Sequence, residues 1–176
     1  MTLEAFADTI VPGEKRSADD RAVAGAAPGG GAVAAGALEL LRTPEGGMGP
    51  LLDPLADLLN AHATTWAADH GVELDDSVPP FVALSLAERT GLVAMLTKPG
   101  HPEKEAWTGL ALFANMAFDT AAHMHTADAL AAGHPGLTTM GFALPDEDGL
   151  WRFSDYSYGR QLAKLHPDTT PSGSPA

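Results

Sequence analysis

Two histidines in the stretch Ala-Ala-His-Met-His-Thr-Ala-Asp are the first candidates for chemistry. His123 and His125 are two residues apart, so on a helix their side chains point about 200° apart and cannot chelate one metal ion. Asp119 precedes His123 by four residues and would share its helix face. An ordinary hydrogen bond within the helix is the favoured interpretation of this pair. The alternative is that the carboxylate orients the imidazole as a general base or as a metal ligand.

The other motifs favour structural roles. His62 and His70 fall on or at the end of a predicted helix, where histidine commonly faces the helix dipole. Gly29-Gly30-Gly31 matches neither the dinucleotide fingerprint nor a phosphate loop, which favours a flexible entry to a tightly packed helix. No Gly-x-Ser-x-Gly elbow occurs. We therefore predict no metal site, although a site assembled from the distant His62, His123 and His125 stays open.

Composition and charge exclude several classes of function. The 176 residues fit one domain, and their Ala, Leu and Gly content favours an all-α fold. A formal charge of -13 would repel nucleic acid. Charges interrupt every apolar run before the roughly 20 residues of a membrane span. The absence of cysteine excludes disulfides, thiolate metal sites and thiol nucleophiles.

Helical periodicity and caps predict a single-domain bundle of about five helices with an irregular C-terminal segment. Thr2 is expected to cap the first helix, and Ser85 with Glu88 has capping-box spacing before the fourth. Gly71 stands where a C-terminal glycine is expected. The predicted helices cover about residues 3–10, 32–42, 51–70, 86–97 and 103–132.

The C-terminal part of the chain is predicted to be irregular, unlike the helical part before it. Most of the Trp and Tyr residues follow Gly133 among glycines and prolines, as expected of an extended segment with a short helix near 157–164. The final Pro, Ser and Thr residues predict a disordered tail over 168–176, after a helical domain over 1–167. The residues expected at binding surfaces, apart from the catalytic candidates, are Asp8, Trp107, Phe113, Trp151, Phe153, Tyr156 and Arg160.

The first residues carry a resemblance to a known family. Phe6 to Gly13 reads FADTIVPG and resembles the N-terminal signature of the gluconate 2-dehydrogenase subunit 3 family. TLEAFADTIVPGEKRSADDRAVAGAAPGGGAVAAGALELL and DYSYGRQLAKLHP are similar to an uncharacterised actinobacterial offshoot of it. The resemblance implies a small helical subunit that binds a larger flavin-dependent oxidoreductase of the glucose-methanol-choline type. FAD would belong to that partner, and this chain would hold no cofactor.

Two functions of different class follow. In the first, the chain is a non-catalytic accessory subunit whose N-terminal corner is shaped by Asp8, Thr9, Pro12 and Gly13. Members of the family commonly carry a twin-arginine signal before the motif. Here the motif starts at residue two, so we expect a cytoplasmic protein as given, with export alongside a partner left open. In the second, the chain is a cofactor-free isomerase, cyclase or hydrolase that takes a hydrophobic natural product into the bundle. Asp119, His123 and Tyr158 would then perform acid-base chemistry, and Arg160 would bind a carbonyl or carboxylate.

Overall fold

A computed structural model describes residues 1–142 and Asp168. The chain divides into two compact units, residues 1–144 and 145–176. Within residues 1–142 the regular structure is helical, which confirms the all-α prediction. The predicted domain end at 167 and the tail that follows it concern residues outside the described ones, and stay predictions.

Eight α-helices form the described unit. In chain order α1 to α8 span Thr2–Ile10, Ala37–Leu41, Leu52–His70, Pro80–Ala83, Leu86–Leu96, Lys104–Thr120, Thr126–Ala131 and Pro135–Thr139. Two short 3-10 turns, Pro44–Gly46 and Gly49–Leu51, lead into α3.

The core surrounds α1, which packs against α3, α5 and α6. The ring of Phe6 lies 6.4 Å from that of Phe81 and 6.3 Å from that of Trp107, measured between centroids. All three are fully or almost fully buried. A second cluster consists largely of alanines on α1, α2 and α6, and small side chains there allow close approach. Burial of these apolar faces holds the short helices together.

The caps agree with the sequence at α3 and α5 and differ at α1. Gly71 ends α3 in the left-handed conformation, and Ser85 and Glu88 form the predicted capping box at α5. The predicted Thr2 cap is wrong, because Met1 holds the N-cap position of α1. Thr2 is buried inside the first turn, where its hydroxyl accepts a hydrogen bond from Asn60 Nδ2 of α3 at 3.2 Å.

Two predicted helices are shorter than expected. Residues 32–36 form turns, and α2 begins only at Ala37 after Gly36, whose φ is 86°. The predicted helix over 103–132 is also wrong as one element, because α6 ends at Thr120 and α7 begins at Thr126. The late start of α2 and the early end of α6 occur at the same place in the fold.

Candidate functional site

The end of α6 separates the two residues that were expected to act together. Ala121 follows α6 with a φ of 49°, and it is the one non-glycine residue with positive φ in the described part of the chain. The backbone therefore leaves the helix before His123, which lies in the loop to α7. Asp119 remains on α6 with an exposed side chain. The predicted shared helix face of Asp119 and His123 is wrong.

His123 packs against the start of α2 instead. A Cβ atom at Gly36 would overlap the imidazole, so only glycine leaves room for this ring. Gly36 also has the left-handed conformation that glycine adopts without steric cost. The imidazole thus occupies the space that a side chain at residue 36 would fill.

A second histidine lies beside His123, with the two ring centroids 6.2 Å apart. His134 is buried and has both ring nitrogens occupied. Its Nδ1 accepts a hydrogen bond from the backbone N–H of Leu137 at 3.3 Å, so Nε2 carries the proton and donates to the carbonyl of Ala35 at 3.0 Å. His134 therefore caps α8 and ties it to the segment before α2.

His123 differs from His134 in its hydrogen bonding. Its Nδ1 is buried and has no partner within the described residues. Burial is the main cause that lowers the pKa of His123, the proximity of His134 acts in the same direction, and Glu39 opposes both effects. The ring is therefore neutral at pH 7 and has one N–H donor and one acceptor nitrogen.

Two open cavities include His123 in their walls, and we call them together the His123 cleft. One has a volume of about 540 Å³, and its wall includes Ala34, Gly36 and Pro135. The other has a volume of about 550 Å³, and its wall includes Phe113 and Met116. The fold therefore brings a predicted catalytic residue, His123, beside a predicted binding residue, Phe113.

Two further histidines, His125 and His70, form hydrogen bonds within or next to their own helices. Nδ1 of His125 accepts the N–H of Ala127 at 3.3 Å and caps α7. The ring of His70 stacks on Trp66 at 4.0 Å and donates from Nδ1 to the Trp66 carbonyl at 2.8 Å. Within the described residues no group of three His, Asp or Glu side chains is placed to hold a metal ion.

The predicted corner at the N-terminus is present and centres on Asp8. This carboxylate is 1% exposed and accepts hydrogen bonds from the backbone N–H groups of Gly13 at 3.2 Å and Ala24 at 2.8 Å. Asp8 therefore fixes the path of the chain after α1. It offers almost no surface to a partner.

Gly13 in this corner and Gly31 in the triple glycine lie where two segments of the backbone cross. The segment 11–14 crosses the segment 29–32, joined by hydrogen bonds from Ala32 N to Val11 O and from Glu14 N to Gly29 O. A Cβ at Gly13 or at Gly31 would overlap the backbone of the other segment. The glycines permit a close backbone crossing rather than a flexible helix entry.

Sequence reasoning missed a buried cation behind this corner. Arg89 of α5 is 3% exposed and donates hydrogen bonds to five carbonyl oxygens. Its acceptors belong to Phe81, Leu84, Ala22, Arg21 and Val82. Burial lowers the pKa of Arg89, while the negative charge of Asp8 acts in the opposite direction. No local motif marks this position, because its acceptors are backbone atoms that only the fold brings together.

A second missed cluster connects α3 to the start of α6. Glu103 Oε2 accepts hydrogen bonds from His62 Nε2 at 2.7 Å and from Trp107 Nε1 at 3.0 Å. Burial favours the neutral acid, but the hydrogen bonds from His62 and Trp107 and the nearby histidine charges hold the pKa of Glu103 below its usual range. Trp107 has no exposed surface, so this predicted binding residue serves the core.

An apolar groove lies next to this cluster, between α3 and α6. We call it the α3–α6 groove. It has a volume of about 370 Å³ and is lined by Met48, Leu51, Pro54, Leu55, Leu58, Glu105, Ala106 and Gly109. Leu51 is 51% exposed and Leu58 is 37% exposed, although both are large apolar side chains. The groove therefore presents apolar area to the surroundings.

Five residues named from the sequence lie outside the described part of the chain. They are Trp151, Phe153, Tyr156, Tyr158 and Arg160, and their predicted roles stay predictions. None of the helices in the described residues is long and apolar enough to cross a membrane.

Comparisons with known proteins give one family. Neither a search of curated proteins nor a search of solved structures finds a match. The family match covers residues 1–176, the full length of the chain. The chain, with its His123 cleft and α3–α6 groove, belongs to the family of unknown function DUF5987.

Proposed function

We propose that this chain is a non-catalytic accessory subunit that binds and supports a flavin-dependent oxidoreductase of the glucose-methanol-choline type. The resemblance of the N-terminal segment to the gluconate 2-dehydrogenase subunit 3 family suggests the partner. The observation that carries the proposal is the α3–α6 groove, whose exposed leucines provide a surface for docking.

Exposed leucines in a continuous groove favour a protein contact over ordinary surface. Isolated apolar side chains are common on protein surfaces, whereas contiguous apolar patches mark interaction sites. Leu51 and Leu58 line the same groove, and Leu112 lies three residues after Gly109, on the neighbouring part of α6. Leu112 is also exposed. A partner that covers these side chains would remove apolar area from water and gain affinity.

The charges around the groove indicate which charges the partner's surface should carry. Glu105 lines the groove, and Asp53 and Asp57 are exposed on α3 beside its lining residues. The whole chain carries a formal charge of -13. We expect the oxidoreductase to present an apolar ridge flanked by Lys or Arg, because complementary charges favour association and orient the partners.

The alternative of a cofactor-free enzyme has less support. Its acid-base pair depended on a continuous helix through Asp119 and His123, and α6 ends between them.

Affinity capture of the tagged full chain from its native host tests the accessory role. We expect a large protein with a flavin absorbance band in stoichiometric amount. Leu58→Asp should reduce its recovery at least tenfold, because the substitution places a charge in the apolar groove. Ala68→Asp adds the same charge at an exposed position farther along α3 and should leave recovery unchanged.

The outcomes test the accessory role and the α3–α6 groove as its docking surface separately. A colourless, monomeric and folded chain without a flavoprotein would overturn the accessory role. Equal recovery with Leu58→Asp and with the unmodified chain would leave the role intact and exclude the α3–α6 groove as the docking surface.

A further inference from the structure

The two histidines of α3 bond to oxygen atoms, and these contacts tolerate protonation of the rings. Nε2 of His62 lies 2.7 Å from Oε2 of Glu103. Nδ1 of His70 lies 2.8 Å from the carbonyl oxygen of Trp66. Both nitrogens of a protonated imidazole donate hydrogen bonds, and a carboxylate or carbonyl oxygen accepts them. Mild acid therefore leaves both contacts intact.

The histidines that begin α7 and α8 have the opposite requirement. Nδ1 of His125 accepts the backbone N–H of Ala127 at 3.3 Å. Nδ1 of His134 accepts the backbone N–H of Leu137 at 3.3 Å. A backbone N–H can only donate, so each cap needs a neutral ring whose Nδ1 carries no proton. A protonated ring would place one N–H against another, and the positive end of the helix dipole would repel its charge.

His134 is the more strongly constrained of these two caps. It is 6% exposed, and its Nε2 donates to the carbonyl of Ala35 at 3.0 Å. His125 is exposed, and its ring can turn into solvent when it becomes charged. The larger response to acid is therefore expected at His134.

The surroundings of His134 provide no ion pair for a protonated ring. Within the part of the chain that the structure describes, no carboxylate lies within salt-bridge distance of His123 or His134. The charged residues on the surrounding elements are all exposed, and they are Glu39, Arg42, Glu45, Asp119 and Asp128.

The neighbouring ring of His123 responds to acid in the same direction. Its centroid lies 6.2 Å from that of His134. Burial lowers the pKa of His123 from its ordinary value of 6.5, the proximity of His134 acts in the same direction, and Glu39 opposes both effects. The neutral form of His123 therefore contributes stability above pH 6.5, and that contribution is lost as the pH falls below this value.

The segment that carries α7 and α8 has its own apolar cluster. The buried side chains of Ala121, Ala129 and Leu137 form this cluster, which is separate from the two clusters that hold α1 to α6 together. α8 packs on α6, and His134 ties it to the segment before α2. Loss of this tie and of the caps would weaken the attachment of both helices without disturbing the aromatic core.

We propose that residues 121–142, which carry α7 and α8, open as an acid-sensitive segment when His134 is protonated, while the core around α1 stays folded. Opening exposes the buried side chain of Leu137, three residues before the already exposed Met140. The protein thus gains an apolar surface below about pH 6.5 that is covered at neutral pH. This segment is independent of the α3–α6 groove and of the accessory role.

Amide hydrogen exchange on the full chain at pH 7.5 and pH 5.5 tests the proposal. Protection factors, corrected for the intrinsic effect of pH on exchange, are read at Ala129 of α7 and Met140 of α8. We expect protection at both amides to fall about tenfold, because an imidazole released into the open segment titrates near pH 6.5. Leu59 on α3 should stay at least tenfold better protected than Met140 at either pH, because the core stays folded.

Two variants assign the response to His134. His134→Asn retains an acceptor for the N–H of Leu137 at every pH, since asparagine is a favourable N-cap that does not titrate. Protection at Met140 should then change less than about threefold between the two pH values, although the lost bond to Ala35 lowers its level at pH 7.5. His70→Asn removes an exposed histidine of α3 and should keep the tenfold change. If His134→Asn does not fold, the pH profile of the unmodified chain still decides the question.

Three results would overturn the proposal. The first is unchanged protection at Ala129 and Met140, and faster exchange at Leu137 alone would then mean that acid removes only the cap. The second is equal protection of Leu59 and Met140, which would mean that the segment does not open apart from the core. The third is a full tenfold change in a folded His134→Asn variant.

Discussion

Nε2 of His62 lies 2.7 Å from Oε2 of Glu103, and this contact joins the middle of α3 to the residue that precedes α6. The same oxygen accepts the indole N–H of the fully buried Trp107 at 3.0 Å. One carboxylate oxygen thus connects a half-buried histidine on one helix to the aromatic core on another.

Glu103→Ala should lower the free energy of unfolding by about 1 to 3 kcal/mol, because the buried indole donor of Trp107 loses its acceptor. Urea denaturation followed by tryptophan fluorescence measures this change. Glu105→Ala is the matched control, since its side chain is 92% exposed, and it should change stability by less than about 0.5 kcal/mol. Equal effects of the two variants would show that the hydrogen bond to Trp107 contributes nothing.

The stability difference between the native chain and Glu103→Gln should depend on pH. Hydrogen bonds from His62 and Trp107 outweigh burial and hold the pKa of Glu103 below its ordinary value of 4.5. The charged form therefore contributes stability above pH 4.5, and that contribution is lost as the pH falls through the lower native pKa. Glutamine retains the acceptor oxygen and lacks this titration.

We therefore expect the native chain to be more stable than Glu103→Gln near neutral pH, with the difference shrinking below pH 4.5. Urea denaturation at a series of pH values measures both proteins. A difference that stays constant across this range would exclude the proposed ionic contribution of Glu103.

Arg89→Lys should destabilise the described unit by about 3 kcal/mol, although it retains the positive charge. Lysine cannot reproduce the planar fork of donors that reaches five carbonyl groups, and the buried acceptors would be left unpaired. Urea denaturation monitored by circular dichroism provides the measurement. Arg42→Lys, at an exposed position, is the control and should remain near native stability. A native-like Arg89→Lys would mean that water or a shifted backbone replaces the lost donors.

Asp8→Asn should destabilise the corner after α1 by about 1 to 3 kcal/mol. Both oxygens of Asp8 accept backbone N–H groups, and an amide would direct its own N–H₂ toward one of these donors. Amide hydrogen exchange at Gly13 and Ala24 should accelerate together with the loss of global stability. Asp119→Asn makes the same change on an exposed residue and should alter neither quantity. Unchanged exchange at Gly13 and Ala24 would contradict the role of Asp8.

The sequence was most informative where structure depends on neighbouring residues. The helical spacing over 51–70 and the capping pair Ser85 and Glu88 predicted α3 and α5 closely, and Gly71 ends α3 as expected. These features follow from helix periodicity and from local hydrogen bonds to the first and last turns. The all-α class followed from composition, because helix propensity is a property of the individual residues.

The tertiary structure decided where the remaining helices end and what the chemically distinctive residues do. Residues 103–132 favour one helix by propensity, yet the chain breaks at Ala121, where His123 occupies the space beside Gly36. Likewise Gly136 packs directly on the carbonyl of Phe118 near the end of α6.

The sequence by itself determined the helical class, the negative charge, the capping box of α5 and the glycine that ends α3. Only the tertiary structure separated Asp119 from His123, buried Arg89 among carbonyl groups and joined His62 to Glu103. The physical reason is that these arrangements depend on contacts between residues far apart in the chain. The resulting packing and hydrogen bonds outweigh the local helix preferences, which amount to less than about 1 kcal/mol per residue.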